Sequence, residues 1–400
     1  MTQSVLLGDL LADLAMGPFG SNLKVDNFID SGVPVVKGGN LYGYEVGGEF
    51  SFVSEEKAQS LKRSLAYPDD IIITHRGTLG QVSIVPRGKY PYYLASQSQL
   101  RMTVNKDEIN PRYLLYYLRS STGQYELMQH AAQVGVPSIA TPTKAVKSLK
   151  ILLPDLKTQQ KIVDILGTID EKIELNRKMN ETLEQMGQAL FRHYFINDPS
   201  SENLTVGDIA EVIDCLHSKK PEKVDFDTGN ILLQLNNIKD NGILDLTDRY
   251  YISNQDYAKW ISRIEASEND FVITNVGRSG AVAKIPSGVK AALGRNMTGI
   301  RLKPEANFPG FMSFLLNSSY MKSQIESRLD HGTILAALNV KNIPKLLLPV
   351  SDTGIVSQHE QKFTSIRDMI EANIIEVQTL TSLRDTLLPR LLNGKVKFSG

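Results

Sequence analysis

Disulfide pairs, long apolar runs and a charge excess are all missing from this sequence. Among its 400 residues the single cysteine is Cys215, so no disulfide can form within the chain. No apolar run approaches the roughly 20 residues that a membrane-spanning helix needs. Asp9 and Asp13 interrupt the apolar stretch near the start, which argues against a secretory signal. We therefore expect a cytoplasmic protein without a membrane contact.

The formal net charge is zero, because 44 Lys and Arg balance 44 Asp and Glu. At first sight this disfavours a nucleic-acid partner, since DNA affinity rests largely on Lys and Arg that neutralise phosphates. Whether the chain binds nucleic acid therefore has to be judged from how the charges are distributed along it. A hydrophobic content of 42% over 400 residues is enough for two domains, each with its own core.

Catalytic and metal-binding signatures are missing too. The six histidines show no metal-ligand spacing, and one cysteine cannot build a thiolate zinc site. Neither phosphate-binding glycine pattern is present, so Gly17 to Asn22 is expected to be a backbone contact or a plain turn. Asn110-Pro111-Arg112-Tyr113 resembles the Asn-Pro-Pro-Tyr loop of adenine methyltransferases, but its proline is better explained as a helix start. We predict no catalytic residue and no metal site.

A seven-residue apolar repeat predicts two long helices of coiled-coil type. One covers Asp155 to Phe195 and the other starts near Phe363, with seam residues Ile162, Ile169, Asn176, Leu183 and Leu190 in the first and Phe363, Ile370, Val377 and Leu391 in the second. At about 1.5 Å per residue, a helix of roughly forty residues is on the order of 60 Å long. Thr158 is the predicted cap of the first helix, and Ser357 with Glu360 has capping-box spacing for the second.

The two halves of the chain repeat each other at an offset near 200 residues. Asp70 to Gly80 matches Asp270 to Gly280, and each reads as a buried strand that runs into a glycine-bounded loop. We predict a first α/β domain at 1–153, a long helix at 154–197, a second domain at 198–350, a second long helix at 351–393 and a tail at 394–400. Asn197 to Ser201 has the composition of a linker.

Connectivity predicts how these segments are arranged. Because the termini of a compact domain usually lie close together, the second long helix should run back along the first. The fold class is then α+β: two similar α/β domains in tandem, separated by two antiparallel coiled-coil helices with approximate internal two-fold symmetry. Asn176 and Asn373 either set the helix register from buried seam positions or lie on exposed flanks.

Basic residues occur in acid-free segments at the same place in both repeats. Residues 71–106 hold five Lys and Arg, and residues 271–304 hold six, with no Asp or Glu in either. This repetition predicts a surface that faces a polyanion. Polar residues suited to DNA contact are Lys37, Asn40, His75, Arg76, Thr78, Gln97, Gln99, Arg101 and Lys144 in the first half, and Gln234, Asn236, Asn237, Arg278, Ser279, Arg295 and Asn296 in the second. Because loop Asn and Gln often cap turns instead, we expect about half of this set to touch DNA.

The ordered motifs resemble one known family, the specificity subunits of type I restriction-modification systems. They are Gly17 to Lys24, Asp70 to Ile73 followed by Arg76-Gly77-Thr78, and Gln159 to Val163 leading to Asp170 to Asn176. The resemblance implies two target-recognition domains that bind double-stranded DNA. It also implies modification subunits, which use S-adenosylmethionine, and restriction subunits, which use ATP and Mg, as partners. No cofactor is expected in this chain. Cys215 to Lys223 departs from the family pattern, because it lacks the glycine-rich start.

Together these observations predict a non-catalytic subunit that reads a bipartite DNA target, one half-site per domain. Apolar residues at the helix ends are expected either to dock the methyltransferase subunits or to close the helix bundle: Leu190, Phe191, Phe195, Leu387 and Leu391. Two alternatives stay open. One is a stand-alone DNA-binding regulator, and the other is a coiled-coil protein adaptor whose end domains bind protein.

A bipartite target has a spacer between its two half-sites, which no domain reads, and we expect the length of the long helices to set its length. One extra helical turn inserted between Glu171 and Glu184 adds about 5.4 Å. The spacer of the methylated target should then lengthen by about one or two base pairs. Mapping methylated adenines in cells that carry the insertion measures this. An unchanged spacer would contradict the prediction.

Overall fold

A computed structural model describes residues 3–132, 135–196, 204–239, 242–330, 332 and 335–394. The chain forms two compact units. The first unit contains Met1–Lys172 and Leu380–Gly400, and the second unit contains Ile173–Thr379. Among the described residues, every helix is too short or too polar to span a lipid bilayer.

The described residues from 3 to 196 form thirteen short strands and five α-helices. The strands are β1 (Gln3–Leu6), β2 (Leu11–Met16), β3 (Phe28–Ile29), β4 (Val33–Val36), β5 (Ser51–Val53), β6 (Leu65–Ala66), β7 (Ile71–Thr74), β8 (Val82–Ile84), β9 (Tyr93–Ala95), β10 (Gln99–Val104), β11 (Ala131–Ala132), β12 (Ser138–Ile139) and β13 (Lys150–Leu153). The helices are α1 (Glu55–Ser60), α2 (Pro111–Arg119), α3 (Ser121–Met128), α4 (Pro142–Lys147) and α5 (Leu156–Phe191), and a π-helical turn at Arg192–Ile196 follows α5.

The described residues from 204 to 394 form nine strands and five α-helices. The strands are β14 (Ala210–Asp214), β15 (Ile231–Leu233), β16 (Glu265–Ala266), β17 (Phe271–Thr274), β18 (Val282–Lys284), β19 (Ala291–Leu293), β20 (Met297–Leu302), β21 (Leu329–Asp330) and β22 (Ala337–Leu338). The helices are α6 (Val206–Ile209), α7 (Asn254–Trp260), α8 (Pro309–Asn317), α9 (Ser319–Glu326) and α10 (Gly354–Leu392).

The first unit is built on an antiparallel sheet with strand order β2-β10-β7-β8. All four residues of β7 are buried, as its unbroken apolar run predicts. Fully burying a side chain such as Ile contributes about 1.5–3 kcal/mol. Helix α2 packs on this sheet, and Asn110 caps it by accepting hydrogen bonds from the backbone N–H groups of Arg112 and Tyr113. Pro111 therefore starts a helix, as predicted.

The second unit repeats this topology. Its four-stranded sheet has the order β14-β20-β17-β18. These strands correspond in turn to β2, β10, β7 and β8 of the first unit. Even the turns before the central strands agree, since Asp69 and Asn269 both adopt a left-handed backbone, with φ of 75° and 68°. Asp and Asn tolerate this conformation better than most residues. The predicted α+β class and the internal repeat are confirmed.

A second sheet lies beside the first in each unit. In the first unit it has the order β3-β5-β4-β9-β6, and in the second unit the order β15-β19-β16. Within these sheets β4 pairs parallel with β9, and β15 pairs parallel with β19. The carboxyl ends of each parallel pair therefore meet at one edge of the sheet.

The long helices pair within each unit through polar contacts as well as apolar ones. In the first unit Arg384 of α10 lies 3.1 Å from Asp170 of α5. In the second unit Arg367 lies 3.2 Å from Glu184, and Asn176 donates a 2.7 Å hydrogen bond to Glu376. Because the α10 partner number falls as the α5 number rises, the helices are antiparallel within the second unit.

The two seam asparagines contact the facing helix. Asn176 is fully buried, and Asn373 donates a 2.7 Å hydrogen bond to the side-chain oxygen of Asn180. Of the two alternatives for these asparagines, seam positions and exposed flanks, the structure therefore shows seam positions. These contacts penalise other registers, since a shifted helix would leave the amide nitrogen of the buried Asn176 without its partner.

The helix caps differ from those predicted. Asp155 caps α5 by accepting the N–H of Thr158 at 2.9 Å, so Thr158 is not the cap. Helix α10 begins at Gly354, three residues before Ser357. The backbone N–H of Gly354 donates to the carboxylate of Asp352. Glu360 instead accepts the N–H groups of Gly310 and Phe311, where its charge favours the N-terminus of α8. The predicted linker and residues 395–400 of the tail lie outside the described residues.

Two glycines of α5 provide a matched test of this packing. A Cβ at Gly187 would overlap the ring of Phe314 on α8, whereas a Cβ at Gly167 meets no atom within 4 Å. Gly187→Ala should therefore destabilise the second unit by about 1–3 kcal/mol, as overpacked cores do. Gly167→Ala should stabilise α5 by about 0.5–1 kcal/mol. Thermal unfolding measures both, and shifts of the same sign for the two variants would contradict the packing.

Candidate functional site

Three loops of the first unit meet where β4, β7 and β9 end. The backbone N–H of Ser96 donates to the carbonyl of Val36 at 3.0 Å, which joins the loop after β9 to the loop after β4. His75, directly after β7, donates its N–H to the carbonyl of Ser98 at 2.9 Å. We call residues 37–40, 75–81 and 96–98 the first loop edge.

The second unit has the same construction. Gly294 follows β19 as Ser96 follows β9, and Asn275 donates its N–H to the carbonyl of Asn296 at 2.8 Å, as His75 does to Ser98. We call residues 234–237, 275–281 and 294–296 the second loop edge. Neither loop edge contains Asp or Glu. Both edges are therefore suited to an anionic or hydrogen-bonding ligand.

Six of the predicted residues keep their polar groups available at these edges. Arg76, Thr78, Gln97, Asn236 and Arg295 are exposed, and Asn296 is half-buried. Their side chains have no hydrogen bond or ion pair with any residue that the structure describes. Lys144 is also exposed, but it lies on α4, outside the first loop edge.

Asn40 and Asn237 are committed to holding the loops. Both are buried, with 6% and 3% of their surface exposed. The side-chain oxygen of Asn237 accepts the N–H of Gln234 at 2.7 Å, and its amide nitrogen donates to the carbonyls of Asp245 and Asp248. Asn40 makes the equivalent three bonds in the first unit. These two amides have no group left for a ligand, so they leave the candidate set.

Three further members of the predicted set are buried in the first unit. Gln99 is fully buried against Thr74. Arg101 is 7% exposed and binds the carboxylate of Asp13. Burial lowers the pKa of His75, so its ring is neutral at pH 7 and cannot act as a cation toward phosphate. His75 and Gln99 bond to residues at the ends of β7 and β9, whereas Arg101 bonds to Asp13 and to the carbonyl of Arg63, outside the first loop edge.

Four other predicted residues have protein partners but reach the surface. Lys37 donates to Ser51 at 2.8 Å, and the amide nitrogen of Gln234 donates to the carbonyls of Leu232 and Leu233. Arg278 donates to the carbonyl of Ile238 at 2.8 Å. The hydroxyl of Ser279 lies within hydrogen-bond distance of the backbone carbonyls at positions 275 and 336, and it can donate to one of them at a time. Their positions are fixed before any ligand binds.

Sequence reasoning missed two residues of this site. Phe19 is 79% exposed in a loop that adjoins the first edge, since the N–H of Gly17 donates to the carbonyl of Gln99 at 2.9 Å. Lys220 lies beside the second edge, with its ammonium 4.0 Å from the centre of the Tyr250 ring. A phenylalanine among glycine and proline residues, as at Gly17 to Gly20, was a detectable signal. The position of Lys220 was not detectable, because it depends on how residues 215–230 fold over the sheet.

The predicted docking residues lie mostly in the cores. Phe191, Phe195 and Leu391 are buried, and Leu190 and Leu387 are half-buried. Phe191 and Phe195 pack on Phe311, which closes the core of the second unit. Exposed apolar side chains of the long helices are found elsewhere, at Ile165, Leu175, Met186, Met369, Ile375 and Leu383.

One group of described residues has metal-ligand chemistry. Ligand atoms of Asp214, Cys215 and His217 lie within 4.8 Å of one another. The carboxylate of Asp214 already binds the ring of His217 at 2.8 Å and lies 3.7 Å from the guanidinium of Arg263. Burial raises the pKa of the Cys215 thiol, which disfavours the thiolate that a metal would need. Both of these contacts use Oδ2 of Asp214, whereas its Oδ1 is buried and has no hydrogen-bond partner among the described residues.

Comparison with known proteins gives a consistent result. Residues 16–185 match the family described as type I restriction modification DNA specificity domain. The chain is 24% identical over 379 residues to the putative type I restriction enzyme MjaX specificity subunit of Methanocaldococcus jannaschii, covering 87% of this chain and 83% of that protein. It is 24% identical over 375 residues to the type I restriction enzyme HindI specificity subunit of Haemophilus influenzae, covering 76% and 81%.

The fold also matches a solved structure. The S subunit of a type I restriction-modification system from M. genitalium superposes with a TM-score of 0.58 at 16% identity, covering 98% of this chain and 96% of that one. The resemblance predicted from the sequence is confirmed.

Neighbouring asparagines test the division between supporting and available side chains. Asn237→Ala should destabilise the second unit by about 1–3 kcal/mol, because it removes a buried amide and leaves backbone groups unpaired. Asn236→Ala, one residue earlier and exposed, should stay within about 0.5 kcal/mol of the parent chain. Thermal and denaturant unfolding of both variants decide this. Equal stability losses would show that the two asparagines are not distinguished as described.

Proposed function

We propose that this chain, a relative of type I restriction-modification specificity subunits, is the DNA-recognition subunit of such a complex and reads one half-site with each unit. The observation that carries the proposal is the pair of loop edges. Each presents unpaired Arg and amide side chains at the same place in a repeated fold, with no acid among its residues. Arg and amide groups are the side chains that hydrogen-bond to base edges in the major groove.

The differences between the units support two targets. The residues that hold each loop are the same, as Asn40 and Asn237 show, while the exposed residues at equivalent positions differ. A scaffold that repeats and a surface that varies are expected of two domains that recognise different sequences. The target is therefore bipartite.

The chemistry belongs to partner subunits in this proposal. Modification subunits would bring S-adenosylmethionine and methylate adenine, and restriction subunits would bring ATP and Mg and cut DNA. This chain would hold no cofactor and work in the cytoplasm, where these partners act. The names of its relatives, which are specificity subunits of restriction enzymes, support this division.

The modification subunits would dock on exposed apolar side chains of the long helices. Within the second unit, the long helices expose Leu175 and Met186 on α5 and Met369 and Ile375 on α10, each with 45–60% of its surface accessible. Exposed apolar side chains on a helix whose other face is already packed are candidates for a protein interface. They replace Phe191, Phe195 and Leu391 in the proposal, because those three are buried.

Arg76→Ala tests the first loop edge. In the purified complex with its modification subunit, this variant should bind the target duplex about 1–3 kcal/mol more weakly, or roughly 5- to 150-fold, because one unpaired guanidinium is lost. Fluorescence anisotropy with labelled duplex measures the change.

The matched control is Arg87→Ala. Arg87 lies in the same acid-free segment, but it follows β8 at the other end of the sheet and binds Asp69. Its removal should leave the affinity for the duplex nearly unchanged. Equal effects of the two substitutions would contradict the assignment of the loop edge as the DNA surface.

A further inference from the structure

The second loop edge contains a cavity of about 410 Å³. Its polar lining is Lys220, Gln234, Asn236, Arg295 and Asn296, and its apolar wall is formed by leucines and Trp260. No carboxylate lines it, so its two cations are not neutralised by the wall. Concave sites with an apolar wall and a few convergent polar groups are typical of ligand recognition.

The backbone fixes the position of Arg295 at this cavity. Gly294 lies so close to the carbonyl of Leu233 that a Cβ would overlap it, so the two parallel strands end in direct contact. Asn296 then adopts a left-handed backbone with φ of 64°, which turns the chain into β20. Arg295, between these two constrained residues, is exposed and has no partner in the described part of the chain.

Gln97 occupies the equivalent position in the first unit. The bond from His75 to Ser98 corresponds to the bond from Asn275 to Asn296, so the residue before each acceptor is Gln97 in one unit and Arg295 in the other. Gln97 is likewise exposed and has no side-chain partner in the described part of the chain. The repeat therefore places an unpaired amide and an unpaired guanidinium at the same point on two copies of one scaffold.

The facing residue differs as well. Asn40 and Asn237 bind their loops in the same way, which aligns Gly39 with Asn236. Gly39 has open space around it and no side chain, whereas Asn236 places a free amide beside Arg295. The second edge thus has more hydrogen-bonding groups than the first at the same position.

These two side chains differ in the base that they suit. A guanidinium makes two parallel hydrogen bonds to O6 and N7 of guanine, and a Gln or Asn amide makes two to N6 and N7 of adenine. We infer that Gln97 and Arg295 are equivalent base-reading residues, with Gln97 selecting an adenine in the first half-site and Arg295 selecting a guanine in the second. This inference rests on the proposed function.

Lys220 has a different role at the same cavity. Its ammonium is held over the ring of Tyr250, and an ammonium is a point charge without the planar fork that distinguishes bases. We assign it to a backbone phosphate. Removing it should weaken binding uniformly across sequences and lower the salt dependence by about one ion.

Exchange of the two residues tests the inference. The complex with the modification subunit is first used to map the methylated target, and Kd is then measured for duplexes that carry each base at each half-site position. Arg295→Gln should move the preference at one position of the second half-site from guanine to adenine. Gln97→Arg should move it from adenine to guanine at one position of the first. The discrimination at each position should be roughly 5- to 150-fold.

Lys290→Gln is the control for lost charge, because Lys290 lies at the opposite end of β19 and is exposed beside Glu265. It should leave every base preference unchanged. Melting temperatures close to the parent chain would confirm that the exposed substitutions do not disturb the fold.

Each result has one meaning. Suppose that the parent complex is selective, but that Arg295→Gln and Gln97→Arg leave all base preferences intact. The inference is then overturned while the proposed function stands. The same holds if Arg295→Gln alters a position that is not guanine, or if Gln97→Arg alters a position that is not adenine. If the parent complex shows no sequence selectivity at all, the proposed function itself fails.

Discussion

The parallel pairing of two short strands determines where the loops of each candidate site lie. Because β4 and β9 run in the same direction, the loops that follow them leave the sheet at one edge, next to the end of β7. The pairing of β15 with β19 repeats this arrangement in the second unit. A crevice at the carboxyl ends of parallel strands is a common place for ligand sites. The loops are then held by buried amides, so their outward side chains are free to vary.

The long helices depend on a second constraint, which is the pairing of buried polar groups. In each unit an acid on α5 faces an arginine on α10: Asp170 with Arg384, and Glu184 with Arg367. Arg367 is 4% exposed, and removing one member of a buried ion pair costs about 3–5 kcal/mol because the other charge is left unpaired. With Asn176 and Asn373, these contacts favour one register over others that would satisfy the apolar seam equally well.

Much of the fold could be predicted from the sequence, because apolar periodicity and repetition are properties of residue order. The unbroken run at Ile71 to Thr74 and its copy at Phe271 to Thr274 were sufficient to predict two related sheets, and the seven-residue pattern predicted both long helices. Caps were predicted less well. Thr158 and Asp155 both suit a helix start, and only the backbone path shows which side chain faces the free N–H groups.

The site could be predicted only in part, for a related reason. Asn236 and Asn237 are adjacent and chemically identical, yet one is exposed and the other holds the loop with three hydrogen bonds. Composition indicates which residue types can contact DNA, whereas the backbone decides which of them point outward. The same limit explains Phe191 and Phe195, since an apolar helix end looks alike in sequence whether it binds a partner or its own core.

Hydrogen–deuterium exchange of the complex with and without its target duplex tests the central claim most directly. That claim is that equivalent loop edges of both units face DNA. The account predicts slower amide exchange on DNA binding at 37–40, 75–81 and 96–98 in the first unit and at 234–237, 275–281 and 294–296 in the second. Residues 85–90 and 285–290, at the other end of the sheets, should be unchanged. Protection confined to those opposite ends, or to one unit alone, would contradict the account.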